Sequence, residues 1–146
     1  MLMKQRNDDL LAFLKKEILE LVEICQSIKL WIQLSIPKIE DGNNFGVSIQ
    51  EEVVTELSRA EESGFLLLDN VSKYYHARAK LITKVEKHPN NKDYQKSVHE
   101  LDDKHWKHLK VCGVDLRNNY AILYDTIQKN IEKIMKPRSS NTNSMY

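Results

Sequence analysis

The side chains of this 146-residue sequence most able to do chemistry are its five histidines, two cysteines and scattered carboxylates. His99-Glu100 with His105 resembles a zinc-hydrolase helix, but that motif needs its second histidine four residues after the first, on one helical face, and Asp103 holds that place. His105 and His108 are three apart and could share a metal ion. Trp106, the surrounding lysines and the lack of a third ligand nearby favour solvated or interfacial imidazoles instead. Cys25 and Cys112 fall within apolar helical patterns, where a small buried thiol is commoner than a disulfide or a reactive site, and neither has a base beside it in sequence. No Gly-rich phosphate loop is present. With no constellation to rest catalysis on, the sequence reads as that of a non-enzyme without cofactor or metal.

The bulk composition narrows the class of partner. Lys plus Arg (22) nearly cancel Asp plus Glu (21), so the strong positive field of a phosphate-backbone binder is missing and nucleic acid is not the favoured partner. No apolar stretch approaches the roughly 20 residues needed to span a bilayer, and the start lacks the pattern of a signal peptide. The sequence reads as a soluble, intracellular protein in a reducing compartment, with no membrane partner. Four glycines and three prolines in the whole chain, with 29% charged residues, fit long helices joined by few turns. The expected class is all-α, one domain over residues 1–136 followed by a flexible tail over 137–146.

The elements follow from apolar spacing. From about Asp8 to Ile36, Leu11, Leu14, Ile18, Leu21, Cys25, Ile28 and Ile32 alternate steps of three and four, a heptad stripe that Pro37 ends. Ser48 and Glu51 form a capping box, placing the start of the second helix near Ser48. Its stripe runs Val53, Leu57, Ala60, Leu67, Val71, Tyr74, Leu81 and Val85, interrupted at Gly64 and Arg78, and His88-Pro89-Asn90-Asn91 ends it. Asparagine N-caps then open a third helix with a face of Leu109, Cys112, Leu116, Tyr120, Leu123, Ile127, Ile131 and Ile134, closed by Pro137. His99, His105 and His108 sit where a continuous stripe would want aliphatics and make its first half more polar. Helices this long, roughly 40–65 Å each at 1.5 Å per residue, are expected to lie side by side as an elongated antiparallel bundle of three.

Two segments stand apart from the rods. Lys38-Ile39-Glu40-Asp41-Gly42-Asn43-Asn44-Phe45-Gly46 is rich in residues that accept positive φ and is longer than an ordinary bundle connection, so it reads as a shaped loop. The plainer alternative is a capped turn with Phe45 tucked over the bundle end. The tail PRSSNTNSMY holds no apolar side chain before Met145, and a purely solvating tail has no need of the Met145-Tyr146 end.

The stretch Trp31 to Glu52, WIQLSIPKIEDGNNFGVSIQEE, resembles the activation-loop region of the 11S (REG) proteasome activators. Further similarity runs through Ser72-Lys73-Tyr74-Tyr75, Asp93-Tyr94, Leu116-Arg117-Asn118, Tyr120, Lys129 to Ile134 and Lys136 to Asn141, from about residue 9 to the end, with the gamma-type subunit most similar. The resemblance implies a four-helix subunit of heptameric rings that cap the 20S proteasome without ATP. It implies that the C-terminal Ser144-Met145-Tyr146 anchors between proteasome α subunits, and that Lys38 to Gly46, Asn43 above all, shifts the gate residues. Family subunits carry another long helix and a linker ahead of the region where this sequence starts. Either the sequence is a piece of a longer product, or three helices suffice and a neighbour fills the groove. The basic nuclear-targeting stretch of gamma-type relatives lies in that linker, so nucleus and cytoplasm both stay open. The alternative reading, of a different class, is a structural coiled-coil oligomeriser without an activating role.

Overall fold

The fold, taken from a computed structural model, is described over residues 2–138. It consists of α1 (Leu2–Ser35), α2 (Phe45–Lys87) and α3 (Lys92–Met135), with no strand among the described residues. The all-α class and the three long helices agree with the periodicity. The boundaries differ at the first turns: α1 begins at Leu2 rather than near Asp8, and α2 at Phe45 rather than near Ser48. The Ser48–Glu51 capping box does not form. Ser48 Oγ donates to the Phe45 carbonyl at 2.6 Å inside the first turn, while the Ser48 amide donates to the Asn44 carbonyl, so Asn44 stands at the cap. The asparagine cap of α3 does form, with Asn91 Oδ1 accepting from the Asp93 amide at 3.1 Å.

The packing divides into two compact units, each holding a stretch of all three helices: the chain up to Glu20 with Ser63–Arg117, and Leu21–Glu62 with the chain from Asn118 on. In the first unit Leu11, Leu14, Ile18, Leu67, Val71, Tyr74, Val98 and Leu109 are buried, which matches the predicted stripes of α1 and α2. On α3 the buried face continues through Asp102 and His105, whereas His99 and His108 are exposed. Only one of the three histidines thus replaces an aliphatic in the core. Leu81 and Val85 are half-buried.

A polar cluster occupies this core. Asp102 receives Arg78 through two hydrogen bonds of 2.9 and 3.2 Å and the Tyr74 hydroxyl at 2.6 Å, while Asn7 Nδ2 donates to the Asp102 carbonyl at 2.9 Å. Burial pushes the Asp102 carboxyl up, but the hydrogen bonds from Arg78 and Tyr74 and the Arg78 charge outweigh it and hold the carboxyl below its ordinary value. Burial, then the bond to Asp102, pushes the Tyr74 hydroxyl up to about 12. His105 stacks on the Tyr74 ring, centroids 3.6 Å apart. Burial and the neighbouring charge of His108 pull its imidazole down, against the opposite pull of Asp102 and Asp8. At the rim Tyr75 donates to Asp8 at 2.9 Å, and Arg6 lies 3.9 Å over the Trp106 ring.

The second unit is drier. Leu21, Val22, Cys25, Ile32, Val53, Leu57, Ala60, Leu123 and Ile134 are buried, and Lys29 bridges α1 to α2 through Glu61 at 2.8 Å. Ile28, Ile127 and Ile131 from the predicted stripes are only half-buried.

Two outcomes follow. Asp102→Ala leaves the Arg78 guanidinium without its carboxylate and is expected to cost about 3 kcal/mol in urea denaturation, the low end for a broken buried pair because Arg78 keeps some solvent. His105 titrates lower in the folded state than its unfolded value near 6.5, so below that pH the unfolded chain binds more protons. Its contribution to stability is intact well above the unfolded value and declines as pH falls below about 6.5. His105→Phe keeps an aromatic stack and is expected to flatten that decline in thermal melts.

Candidate functional site

The end of the second unit holds the shaped segment. Pro37 cannot donate a backbone hydrogen bond, and α1 closes with Ile36 N donating weakly to the Gln33 carbonyl at 3.4 Å. The connection then runs exposed from Lys38 to Asn44. Gly42 and Asn43 take consecutive left-handed conformations, φ +80° and +51°, which an achiral residue and an asparagine tolerate best. Asn44 Nδ2 donates back to the Glu40 carbonyl at 3.1 Å and closes the segment on itself. Phe45 and Gly46 belong to the first turn of α2 rather than to the connection. Phe45 is 68% exposed and Ile39 99% exposed, so no aromatic plug covers the helix ends.

Two contacts fasten this segment to the end of α3. At Gly46 a Cβ would overlap the backbone of Pro137, carbonyl oxygen first, so the chain leaving α3 lies directly on the start of α2. Arg138 then reaches back, its Nη1 donating to the Lys38 carbonyl at 2.6 Å, Nη2 to Asn44 Oδ1 at 2.9 Å and Nε to the Asn43 carbonyl at 3.4 Å. The Glu40 carboxylate stands 3.5 Å away. Beneath them the buried Gln50 donates from Nε2 to the carbonyls of Ser35 at 3.3 Å and Ile134 at 2.9 Å, joining the last turns of α1 and α3. Helix C-termini leave carbonyls without intrahelical partners, and one amide group here serves two of them.

The predicted residues Lys38 to Gly46 are therefore brought together, with the first residues of the predicted tail against them. Ser144, Met145 and Tyr146 lie outside the described residues. Sequence reasoning missed Gln50 and Arg138. Gln50 carried a signal, since it sits three residues before Val53 on the stripe Val53, Leu57, Ala60. Arg138 carried none, because its partners, two backbone carbonyls and the Asn44 side chain, lie 94 to 100 positions away.

His108 Nε2 stands 3.5 Å from Cys112 Sγ, one helical turn away, a neighbour that adjacency in sequence does not show. Burial, followed by the charge of Asp115, pushes that thiol up, away from the reactive thiolate. Cys25 is likewise raised by burial and Glu61. Among the described residues no three His, Cys, Asp or Glu side chains gather as metal ligands, and no helix is long and apolar enough to cross a membrane.

The family described as proteasome activator PA28, C-terminal, matches residues 3–144. The human protein named proteasome activator complex subunit 3 is 50% identical over 138 residues, 94% of this chain and 54% of that one. Proteasome activator 28 of Dictyostelium discoideum is 41% identical over 132 residues, 90% of this chain and 59% of that one. The crystal structure of the 11S subunit of the Plasmodium falciparum proteasome, PA28, superposes with a TM-score of 0.87 at 55% identity, covering 92% of this chain and 57% of that one. The chain thus spans about half the length of the curated relatives it matches.

Gly42 of the connection and Gly46 of the first α2 turn separate by substitution. Gly46→Ala forces backbone against backbone at Pro137 and is expected to cost about 3 kcal/mol, the upper end for overpacking, whereas Gly42→Ala meets no atom within 4 Å and bears only left-handed strain of about 1 kcal/mol. Urea denaturation of the two variants measures the difference.

Proposed function

The chain belongs to the PA28 proteasome activator family, through that family's C-terminal domain, and from this premise we propose that it is an ATP-independent activator subunit of the 20S proteasome. In this reading Ser144-Met145-Tyr146, with the terminal carboxylate, anchors between proteasome α subunits, and the segment from Lys38 to Gly46 displaces the gate. The protein then acts as a regulator that lends no active site, needs no cofactor and works inside the cell, in nucleus, cytoplasm or both.

The observation that carries the reading is the junction of the loop with the root of the tail, through Arg138 and through Pro137 on Gly46. A gate is moved only by a group held stiffly beside the point of attachment. A carboxylate with a Met-Tyr end makes a weak contact alone, and copies arranged in a ring raise the effective concentration of each further tail. A homo-oligomer, with seven copies as the family resemblance implies, supplies that repetition. Leu30 and Leu34 on α1 and Ile122 and Tyr124 on α3, all exposed in the second unit, favour such association. They equally suit the alternative of a purely structural oligomeriser, which predicts a stable assembly indifferent to the tail.

The test is hydrolysis of a fluorogenic peptide by latent 20S proteasome, with co-sedimentation and light scattering on the same samples. The wild-type chain is expected to assemble, bind and stimulate. Deletion of Met145 and Tyr146 is expected to weaken binding at least about tenfold, equivalent to 1.4 kcal/mol. Asn43→Tyr places a bulky side chain at positive φ and is expected to retain binding while losing stimulation. An assembled wild-type chain that neither sediments with the proteasome nor stimulates it refutes the proposal.

A further inference from the structure

We propose that Arg138 is a positioning residue that couples the tail to the loop, so that the conformation presented by residues 38–44 is set by where the root of the tail lies. The inference rests on the activator reading for its consequence, but its structural half stands on the geometry alone.

Among the described residues, every hydrogen bond that ties residues 38–44 to an element other than the adjoining helix comes from Arg138. The bond from Asn44 to Glu40 is internal, and the Ser48 amide bonds the Asn44 carbonyl as part of the start of α2. Gln50 holds Ser35 and Ile134, one turn below, and touches no loop residue. Among the described residues the side chains of Lys38 and Asp41 make no hydrogen bond or ion pair outside the loop, and Ile39 is 99% exposed. All three guanidinium nitrogens are engaged, on the carbonyls of Lys38 and Asn43 and on the side chain of Asn44, and the side chain is 14% exposed. Lys38 and Asn44 are the two ends of the connection and Asn43 is the second of its two left-handed residues, so one planar group fixes both ends and the bend together. A lysine ammonium is a compact point charge on a flexible stem and cannot match that fork.

The position in the chain adds the coupling. Arg138 follows Pro137, whose backbone sits where a Cβ of residue 46 would be, so Arg138 has little freedom to move without moving α3 or α2. The eight residues beyond it reach at most about 29 Å when fully extended. A tail held at its far end therefore loads the chain at Arg138, and the guanidinium passes that load to the carbonyls of Lys38 and Asn43. The exposed carboxylate of Glu40 lies 3.5 Å from Nη1 and serves as a control, since its removal leaves all three donor contacts in place.

The experiment compares wild type, Arg138→Ala, Arg138→Lys and Glu40→Ala in the full chain. Oligomeric state is expected to be unchanged and the melting temperature to fall by only about 2–4 °C, because the contacts lie at the exposed end of the unit. Tryptic cleavage after Lys38, identified by fragment mass, is expected to quicken about tenfold in both Arg138 variants and to stay at the wild-type rate in Glu40→Ala. With latent 20S proteasome, co-sedimentation of the Arg138 variants is expected to stay within about twofold of wild type while peptidase stimulation falls about tenfold. Unchanged cleavage at Lys38 overturns the inference, as does full stimulation by Arg138→Ala. Parallel loss of binding and stimulation also overturns it, since Arg138 would then serve the tail and not the loop. If the wild-type chain itself neither binds nor stimulates, the activator reading fails and the cleavage rates alone decide whether Arg138 holds the loop.

Discussion

The absence of a Cβ at position 46 is what allows the chain leaving α3 to rest on the first turn of α2. With any other residue there, the Pro137 carbonyl would have to retreat, and Arg138 would be carried away from the carbonyls it reaches. Three helix ends and one connection meet around that contact: Gln50 gathers the last carbonyls of α1 and α3, and Arg138 gathers the connection. The order of dependence is therefore steric first and polar second. A hydrogen-bond network can be strong only when the backbone brings its members within about 3 Å, and here an absent methyl group does that.

The two units solve the problem of buried polarity in opposite ways. In the first, a carboxylate, a guanidinium and a phenol satisfy one another in the core, with Asn7 closing the backbone carbonyl of Asp102. Replacing such a cluster by apolar groups is often neutral for stability, whereas removing one member is not, so its effect is to penalise any register of α1, α2 and α3 other than this one. Heptad stripes alone leave that register open, because a slide of seven residues presents an equivalent face. In the second unit the register is held at the helix ends, where Gln50 can satisfy two carbonyls only when α1 and α3 stop at the same level.

What was legible in the sequence was what depends on local spacing. Leu11, Leu14, Ile18, Leu21, Cys25, Ile28 and Ile32 repeat every three or four residues, and all but the half-buried Ile28 are buried. Pro37 marks the stop of α1, and Asn91 caps α3 as its position predicts. Ser48 misled because the capping box is a local pattern, while the true cap at Asn44 is selected by the turn that Gly42 and Asn43 make before it. His99 and His108 misled for a related reason: periodicity identifies a face only to within one residue in seven, and the buried positions proved to be Val98, Asp102, His105 and Leu109. The loop was visible by composition, and its conformation was not. That conformation is settled by Arg138, far away in the chain, and a contact at such separation leaves no trace in spacing.

The loop can carry strain because the contacts that hold it are the stronger side of the balance. A non-glycine residue in the left-handed region costs about 1–2 kcal/mol, less for asparagine, and Gly42 bears almost none of it. A hydrogen bond from a charged donor contributes about 1.5–3 kcal/mol when poorly solvated. Arg138 makes two short ones and one long one from a side chain largely withdrawn from water, so even after a generous discount for the exposed carbonyls the fork outweighs the bend. The residual is stiffness rather than stability. Ile39 and Phe45 are then presented to solvent on a frame that cannot fold over them, and burying one such side chain against a partner releases about 1.5–3 kcal/mol. A floppy loop would lose much of that gain in ordering itself on contact, at roughly 1–2 kcal/mol for each residue fixed. Here the ordering has already taken place within the fold, so the free energy of a contact made there is not consumed in ordering the loop.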